Sequence, residues 1–466
     1  MPTPSLRLAR AATGELAAAL AAIPIELGLP RDFPAEVLAA VPSPALPELD
    51  LTHLEFVTVD PQGATDLDQA FLLERAGDGY RVYYAIANLA AFVQPGGPID
   101  VEARRRGQTI YAPDGRIPLH PPEISEDAAS LLAGVDRGAY VWDFELDTAA
   151  SVTSFSVRLA TIRSRMQLTY ETVDIPLLGE IGEKRIALER ARGGASLTLP
   201  ETEIVESNGT YTLVRRRPLR AEAWNAQLSL LTGMAAAELM LGAGVGILRT
   251  MPPAPAEAVD EFRLRARALG HPWREDMPYG DFLRSLDLND PAQLAIMHAA
   301  ASLFRGAGYT VFDGSAPGVT TQAAVAAPYA HATAPLRRLV DRFVLAACEA
   351  ISAGRPVPEW VRGALPSLPS LMSASGALAG QVDRLAIDTV EAALLAPSIG
   401  AIFDATVISA RATSGTIQLL SPAVSASCDG ALVAGSRISA RLDIADVATA
   451  TVRFTAIQDA AAPGSP

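Results

Sequence analysis

Thr58-Val59-Asp60-Pro61-Gln62-Gly63-Ala64-Thr65-Asp66-Leu67-Asp68-Gln69 places three aspartates within nine residues, directly behind the β-type run Phe56-Val57-Thr58-Val59. A strand that ends in Asp, turns at Pro and Gly and re-enters with Asp-x-Asp brings carboxylates from separate backbone segments toward one point. Hard oxygen ligands of that kind suit Mg²⁺ and leave room for water and a phosphate. That geometry fits metal-assisted phosphodiester cleavage. Taken alone, Asp-Pro and Asp-x-Asp are more often turn formers whose side chains bond their own backbone. The rest of the chain decides between the two.

At 466 residues the chain is long enough for two to four domains with sizeable cores. A hydrophobic content of 49% with 19% charged residues describes a globular protein and excludes a disordered one. The two cysteines, Cys348 and Cys428, exclude a disulfide scaffold and predict a reducing, cytoplasmic setting. Five scattered histidines give no zinc pattern. The most apolar run, 233–248, carries Glu238 and falls short of the ~20 residues that span a bilayer, so no membrane partner is expected. A net charge of −14 argues against a protein that coats nucleic acid. Arginine clusters at 104–106, 215–217 with 220, 263/265/267 and 337–338 read singly as solvated helix faces. Together they allow a basic channel inside an acidic body.

Residues 1–45 are rich in Ala, Leu and Pro and predict short helices near 13–22 and 34–41. Pro42, Pro44 and Pro47 follow as a linker. From about 50 to 170 the pattern is mostly strand. The run 81–87 is too continuous to be an edge, and 139–147 and 153–163 alternate in part. Residues 101–107 predict a helix within that region. From 170 to 395 helices dominate: 221–248, 256–269, 336–351 with one apolar face, and 376–395. After Pro397 five short strands over about 55 residues fit an OB-type barrel, and a disordered tail is expected from 459. The fold class is α+β, with long helices around a strand-rich core and an all-β barrel behind it.

Asp60-Pro61-x-x-Ala64-x-Asp66-Leu67-Asp68 resembles the signature of the RNase II (RNB) exoribonucleases. Ala85–Val93 and Ser164–Glu171 resemble two further family blocks. Tyr329-Ala330-His331-Ala332-Thr333-Ala334-Pro335-Leu336-Arg337-Arg338 is similar to the family's Tyr-x-x-x-Thr-Ser-Pro-Ile-Arg-Arg block. The matches keep the family's order across about 50–395. The resemblance implies a catalytic RNB domain at 50–395 and an S1-like OB domain at 400–458. The 45 residues before them are too few for the cold-shock barrels that family members often carry.

What the resemblance implies is a Mg²⁺-dependent, processive 3′→5′ exoribonuclease acting on single-stranded RNA, with Mn²⁺ a possible substitute, and a monomer. Asp60, Asp66 and Asp68 would hold the metal with Gln69 as a fourth ligand, and Asp60, Asp66, Asp68 and Arg337 would be catalytic. Two metal ions about 4 Å apart can activate water, screen the phosphate and help the leaving oxygen. Arg337 would fork onto the 3′-terminal phosphate, and Thr333 and Arg338 would join it in binding RNA. Pro335 suits a helix first turn and Thr333 a cap, so a helix N-terminus is expected beside the phosphate. Tyr111 would pack on terminal nucleotides, which tolerates any base. Asp383 would accept from a ribose 2′-OH.

The match departs from the family at several places. Gln69 stands for a fourth aspartate, Asn88 for another Asp, Ala334 for Ser, Leu199 falls near a phenylalanine and Thr321 near a histidine. An amide at 69 brings no charge, so either a second metal binds weakly or the substrate phosphate completes its shell. The C-terminal barrel, with only Phe403 and Phe454 as aromatics, reads as a weak RNA binder. Two other readings stay open: an RNA-binding protein that kept the fold but lost catalysis, and a metal-dependent phosphodiesterase acting on DNA or small nucleotides.

Overall fold

The computed structural model describes residues 10–112, 115–195, 201–207, 210–216, 218–300, 303, 305–420, 422 and 424–457. The expected tail from 459 and Leu199 lie outside them. The site stands on a closed five-stranded barrel of β1 (Phe56–Asp60), β2 (Gln69–Ala76), β3 (Gly79–Ala87), β4 (Asp136–Leu146) and β5 (Val152–Thr169). Neighbours pair antiparallel except at the seam, where β1 runs parallel to β5 with Asp60 opposite Thr169.

β3 is flanked by β2 and β4, as its unbroken apolar run requires, and both its faces are buried. Tyr80, Val82, Tyr84 and Ile86 pack with Val59, Phe71, Trp142 and Phe144. Tyr83, Ala85 and Ala87 face the other way, among Phe56, Leu67, Ala70 and Ile162. This is the two-residue period of a strand expressed as two cores.

Helices enclose the barrel. Arg220–Ala243 contributes Leu228, Leu231, Ala236 and Met240 to the larger core. By length and composition it could cross a membrane, and half of its most apolar stretch is buried in the fold. The sequence predicts this helix to run to 248. Instead Gly244, at φ 72°, ends it, and Val245–Thr250 becomes a strand paired with Gly308–Asp313. Ala-rich composition alone could not mark that stop. Arg10–Glu26 packs Leu16, Leu20 and Ile23 on Val382, Ala386 and Val390 of the long Leu368–Leu395 helix.

A second closed barrel, Ile402–Ala410, Ser414–Leu419, Ser425–Asp429, Arg437–Asp446 and Thr451–Ala456, follows that helix. Buried Glu391 on the helix accepts the Ser425 N–H at 3.2 Å, and Arg265 donates to the Ile408 carbonyl at 2.9 Å.

One arginine that reads in the sequence as part of a solvated face is structural, and so is Arg342, outside those clusters. Arg106 is buried, with ion-pair partner Glu102 at 2.8 Å and the carbonyls of Pro118 and Asp32 as acceptors. Arg342, also buried, binds Asp100 on the Pro98–Arg106 helix.

Candidate active site

The 61–68 loop between β1 and β2 is fixed from three sides. Gly63 supplies the left-handed turn at φ 81°. Ser130 accepts the Leu67 N–H at 2.9 Å and donates to the Thr65 carbonyl at 2.7 Å. Gln167 of β5 donates to the Ala64 carbonyl at 2.9 Å. These bonds, with Leu67 fully buried, set where Asp60, Asp66 and Asp68 emerge.

The second half of the site arrives from the 329–338 segment. It passes close against the Arg220–Ala243 helix, where Gly233 accepts the Ala330 N–H at 2.9 Å. A Cβ at Gly233 would lie 2.2 Å from the Tyr329 ring, so only glycine admits this approach. Asp68 Oδ1 accepts the Leu336 N–H at 2.8 Å, and Arg337 Nε stands 3.5 Å from Asp68 Oδ2.

Arg337 does not begin a helix. The helix starts at Leu339, and 335–337 form a turn. Asp341 explains the delay: fully buried, it accepts the Ala334 N–H at 2.8 Å and holds Arg338 through both oxygens at 2.8 and 2.9 Å. Asp68 and Asp341 together hold 334–338 out of the helix, so its first residue is Leu339, two beyond Arg337. Sequence reasoning passed over Asp341, whose signal was its i,i+3 spacing from Arg338.

Burial pushes the Asp60 carboxyl up to about 7, with the Asp66 charge adding to it and Thr58 and Arg337 opposing. Asp60 Oδ2 is buried without a hydrogen-bond partner among the described residues. Burial likewise pushes Asp68 up to about 8 against the pull of Arg337. Two buried carboxylates near one arginine form a site short of positive charge. Asp66 is occupied differently: Arg116 Nη1 pairs with its Oδ1 at 2.7 Å, and the Tyr111 hydroxyl donates to its Oδ2 at 3.3 Å. Among the described residues no three Asp, Glu, His or Cys side chains stand close enough to share one ion.

Three expected roles change. Gln69 has both ends of its carboxamide engaged: Oε1 accepts from Tyr84 at 2.9 Å and Nε2 donates to the Thr333 carbonyl. It ties the barrel to the Arg337 turn in place of serving as a free fourth ligand. Thr333 is buried with its hydroxyl paired to Ser229 at 2.7 Å, and so positions the loop and presents nothing to RNA. Arg338 is spent on Asp341. Tyr111 is half exposed beside Asp66, and Arg337 is exposed. Asp383 is exposed on the long helix that also carries Val382, against which the Tyr111 hairpin packs.

A cleft of about 640 Å³ is lined by Gln69, Tyr170, Asn225, Ser229 and Arg337, with Arg190, Arg220 and Arg284 on its walls. Of the arginine clusters in the sequence only Arg220 and Arg337 reach this cleft, and with Glu189 and Glu222 also in its lining its four arginines outnumber its acids by two.

A sequence profile of the RNB domain matches residues 48–352, and one of the RNase II-type exonuclease C-terminal S1 domain matches 401–457. An uncharacterized ribonuclease of Synechocystis is 26% identical over 254 residues, which are 50% of this chain and 38% of that protein. Ribonuclease R of Acidithiobacillus ferrooxidans is 36% identical over 161 residues, 33% of this chain and 37% of that one. The chain thus spans well under half the length of either relative. Among solved structures, apo Mycoplasma genitalium RNase R superposes with a TM-score of 0.84 at 18% identity, covering 95% of this chain and 78% of the other. Yeast Ssd1, a pseudonuclease, superposes with a TM-score of 0.70 at 14% identity, covering 89% of this chain and 56% of that one. At these identities the superpositions speak for a shared fold. The RNB profile covers well over half of the chain, which therefore belongs to the RNB family and carries that family's RNase II-type S1 domain behind its catalytic-type barrel.

Proposed function

We propose that this chain is a Mg²⁺-dependent 3′→5′ exoribonuclease that processively releases nucleoside 5′-monophosphates from single-stranded RNA. The observation that carries this reading is convergence: Arg337 stands 3.5 Å from Asp68 across 269 positions and lines a cleft with three further arginines, while Asp66 and Arg337 are both near enough to act on the charge of Asp60 and Asp68. The donors fit magnesium. They are hard oxygens, and Asp60 Oδ2 is a buried acceptor with no donor among the described residues. Bound there, a magnesium ion would polarise the phosphate and acidify a water.

The chain's own side chains supply position. Arg337 reaches the cleft with its side chain nearly half exposed, so its outer nitrogens can fork onto a phosphate while Nε stays beside Asp68. The Tyr111 ring can stack on a terminal base of any identity. Asp383 is assigned the ribose 2′-OH, which would give preference for RNA over DNA. Digestion of a 5′-labelled RNA, resolved on a gel with and without EDTA, tests all of this. The expected result is metal-dependent shortening from the 3′ end without internal cuts. Metal-independent decay or internal cleavage would overturn it.

A second reading has its own support: Gln69 brings no charge, and among the described residues no three acidic groups stand ready to share an ion. On that reading the chain binds RNA without cutting it. Tight retention of the labelled RNA with no turnover in Mg²⁺ or Mn²⁺ would establish it.

A further inference from the structure

Strands Ile110–Ala112 and Gly115–Ile117 pair so that Tyr111 stands directly opposite Arg116, and Ile110 opposite Ile117. Strand alternation sends the two pairs to opposite faces. Ile110 and Ile117 are buried with Leu16, Leu20 and Val382. Tyr111 and Arg116 face the aspartate loop, and both take Asp66, one on each carboxylate oxygen. Arg116 Nη2 also binds Glu126 at 2.6 Å and Thr65 Oγ1 at 2.7 Å. One guanidinium is thus shared by Asp66 and Glu126, while Asp60 and Asp68 face Arg337.

We infer that Arg116 is a positioning residue that withholds Asp66 from a divalent cation, so that cation affinity depends on the hairpin releasing its grip. The inference rests on the proposed function only in taking Asp60, Asp66 and Asp68 as the ligands. The hairpin accounts for why three aspartates within nine residues do not share an ion site: each of the two Asp66 oxygens already has a partner. Release has somewhere to go. Arg116 and Glu126 also line a cavity of about 360 Å³ with Asp32 and Phe33, where the guanidinium can keep Glu126 and leave Asp66. Tyr111 is the second prong of the clamp, so a nucleobase that draws its ring away loosens Asp66 as well. Ion and RNA then favour each other's binding, and by linkage the preference is mutual.

The test is calorimetric titration of the full chain with Mn²⁺ in the absence of RNA. Arg116→Gln removes a positive charge a few ångströms from the ligands and should bind Mn²⁺ about fivefold more tightly. Arg116→Lys, which keeps the charge, should stay near wild type. Glu126→Gln should move the other way, weakening binding, because Arg116 then commits wholly to Asp66. That opposite sign separates a clamp from general damage to the fold, and if Arg116→Gln fails to fold, unchanged or tighter Mn²⁺ binding by a folded Glu126→Gln still overturns the inference. Unchanged or weaker affinity in a folded Arg116→Gln overturns it as well. If wild type hydrolyses RNA while these variants bind Mn²⁺ as it does, the clamp alone falls. If wild type neither binds Mn²⁺ nor hydrolyses RNA, the proposed function falls with it.

Discussion

Two closed five-stranded barrels occur in this chain, each sealed by one parallel pair, β1 with β5 in the first and Ser425–Asp429 with Thr451–Ala456 in the second. They differ in how their buried polar groups are satisfied. In the second, the buried Gln418 side chain donates to the Val424 carbonyl and accepts from Ser425, and the core is small and apolar around Phe454. In the first, Asp68 is buried with its carboxyl pushed up to about 8, and Asp60 Oδ2 has no partner among the described residues. A barrel with its polar groups paired is a scaffold. One that keeps carboxylates short of cations is poised to take something in.

The largest effect should come from breaking that shortage. Asp68→Asn keeps the shape and can still accept the Leu336 N–H, but it removes the central charge. RNA cleavage should fall by about 10³-fold with RNA affinity retained, in line with losing one main electrostatic element of a site. Equal loss of binding and cleavage would make Asp68 structural. Arg337→Ala should cost about 10²-fold in cleavage, and Arg337→Lys should recover only part of it, because a lysine cannot present a planar fork. Single-turnover rates at saturating concentrations measure both.

The contrast between the barrels was only partly legible in the sequence. Both strand-rich regions and their order follow from periodicity and turn residues, and the two blocks bearing Asp60–Asp68 and Arg337 stand out by resemblance. What joins them does not: Asp68 meets Leu336 across 268 positions and Gln69 meets Thr333 across 264. The apolar period beginning at Leu336 predicted a helix there, and two aspartate hydrogen bonds delay it to Leu339. Arg116 gave no local signal at all, since its importance comes from the residue opposite it in a hairpin and from a loop 50 positions away.

The next effect is one of stability against pH. Asp60 and Asp68 have folded-state values of about 7 and about 8, above the ordinary carboxylate value, so the folded state holds protons that the unfolded chain releases. Their presence therefore costs nothing at low pH and destabilises the ion-free protein progressively as pH rises from about 4 to about 8. In EDTA, wild type should lose melting temperature across that window relative to Asp68→Asn, and the two curves should converge at its acid end. A cation that takes up the charge should flatten the wild-type curve. Parallel melting curves for the two proteins would show that Asp68 ionises no differently folded and unfolded.

The smallest effect belongs to the second barrel. Its residues 402–456 carry four arginines, Arg411, Arg437, Arg441 and Arg453, against four aspartates, and no other charge. Arg441 is paired with Asp443 at 2.9 Å, and Arg453 is near Asp429 at 3.9 Å. Phe454 is fully buried, and Phe403 is partly buried and packs edge-on against it, so the barrel presents no fully exposed aromatic ring among the described residues. Without a stacking platform or a net positive face, the barrel has little to offer a phosphate backbone. Arg437→Ala and Arg441→Ala should each change RNA affinity by about twofold or less. Each should also move the slope of log affinity against log salt by well under one, whereas an arginine that neutralises a phosphate contributes roughly 0.7 to 0.9 to that slope. A drop of about tenfold, or a slope change near one per arginine, would mean that this barrel grips RNA phosphates one by one despite its balanced charge.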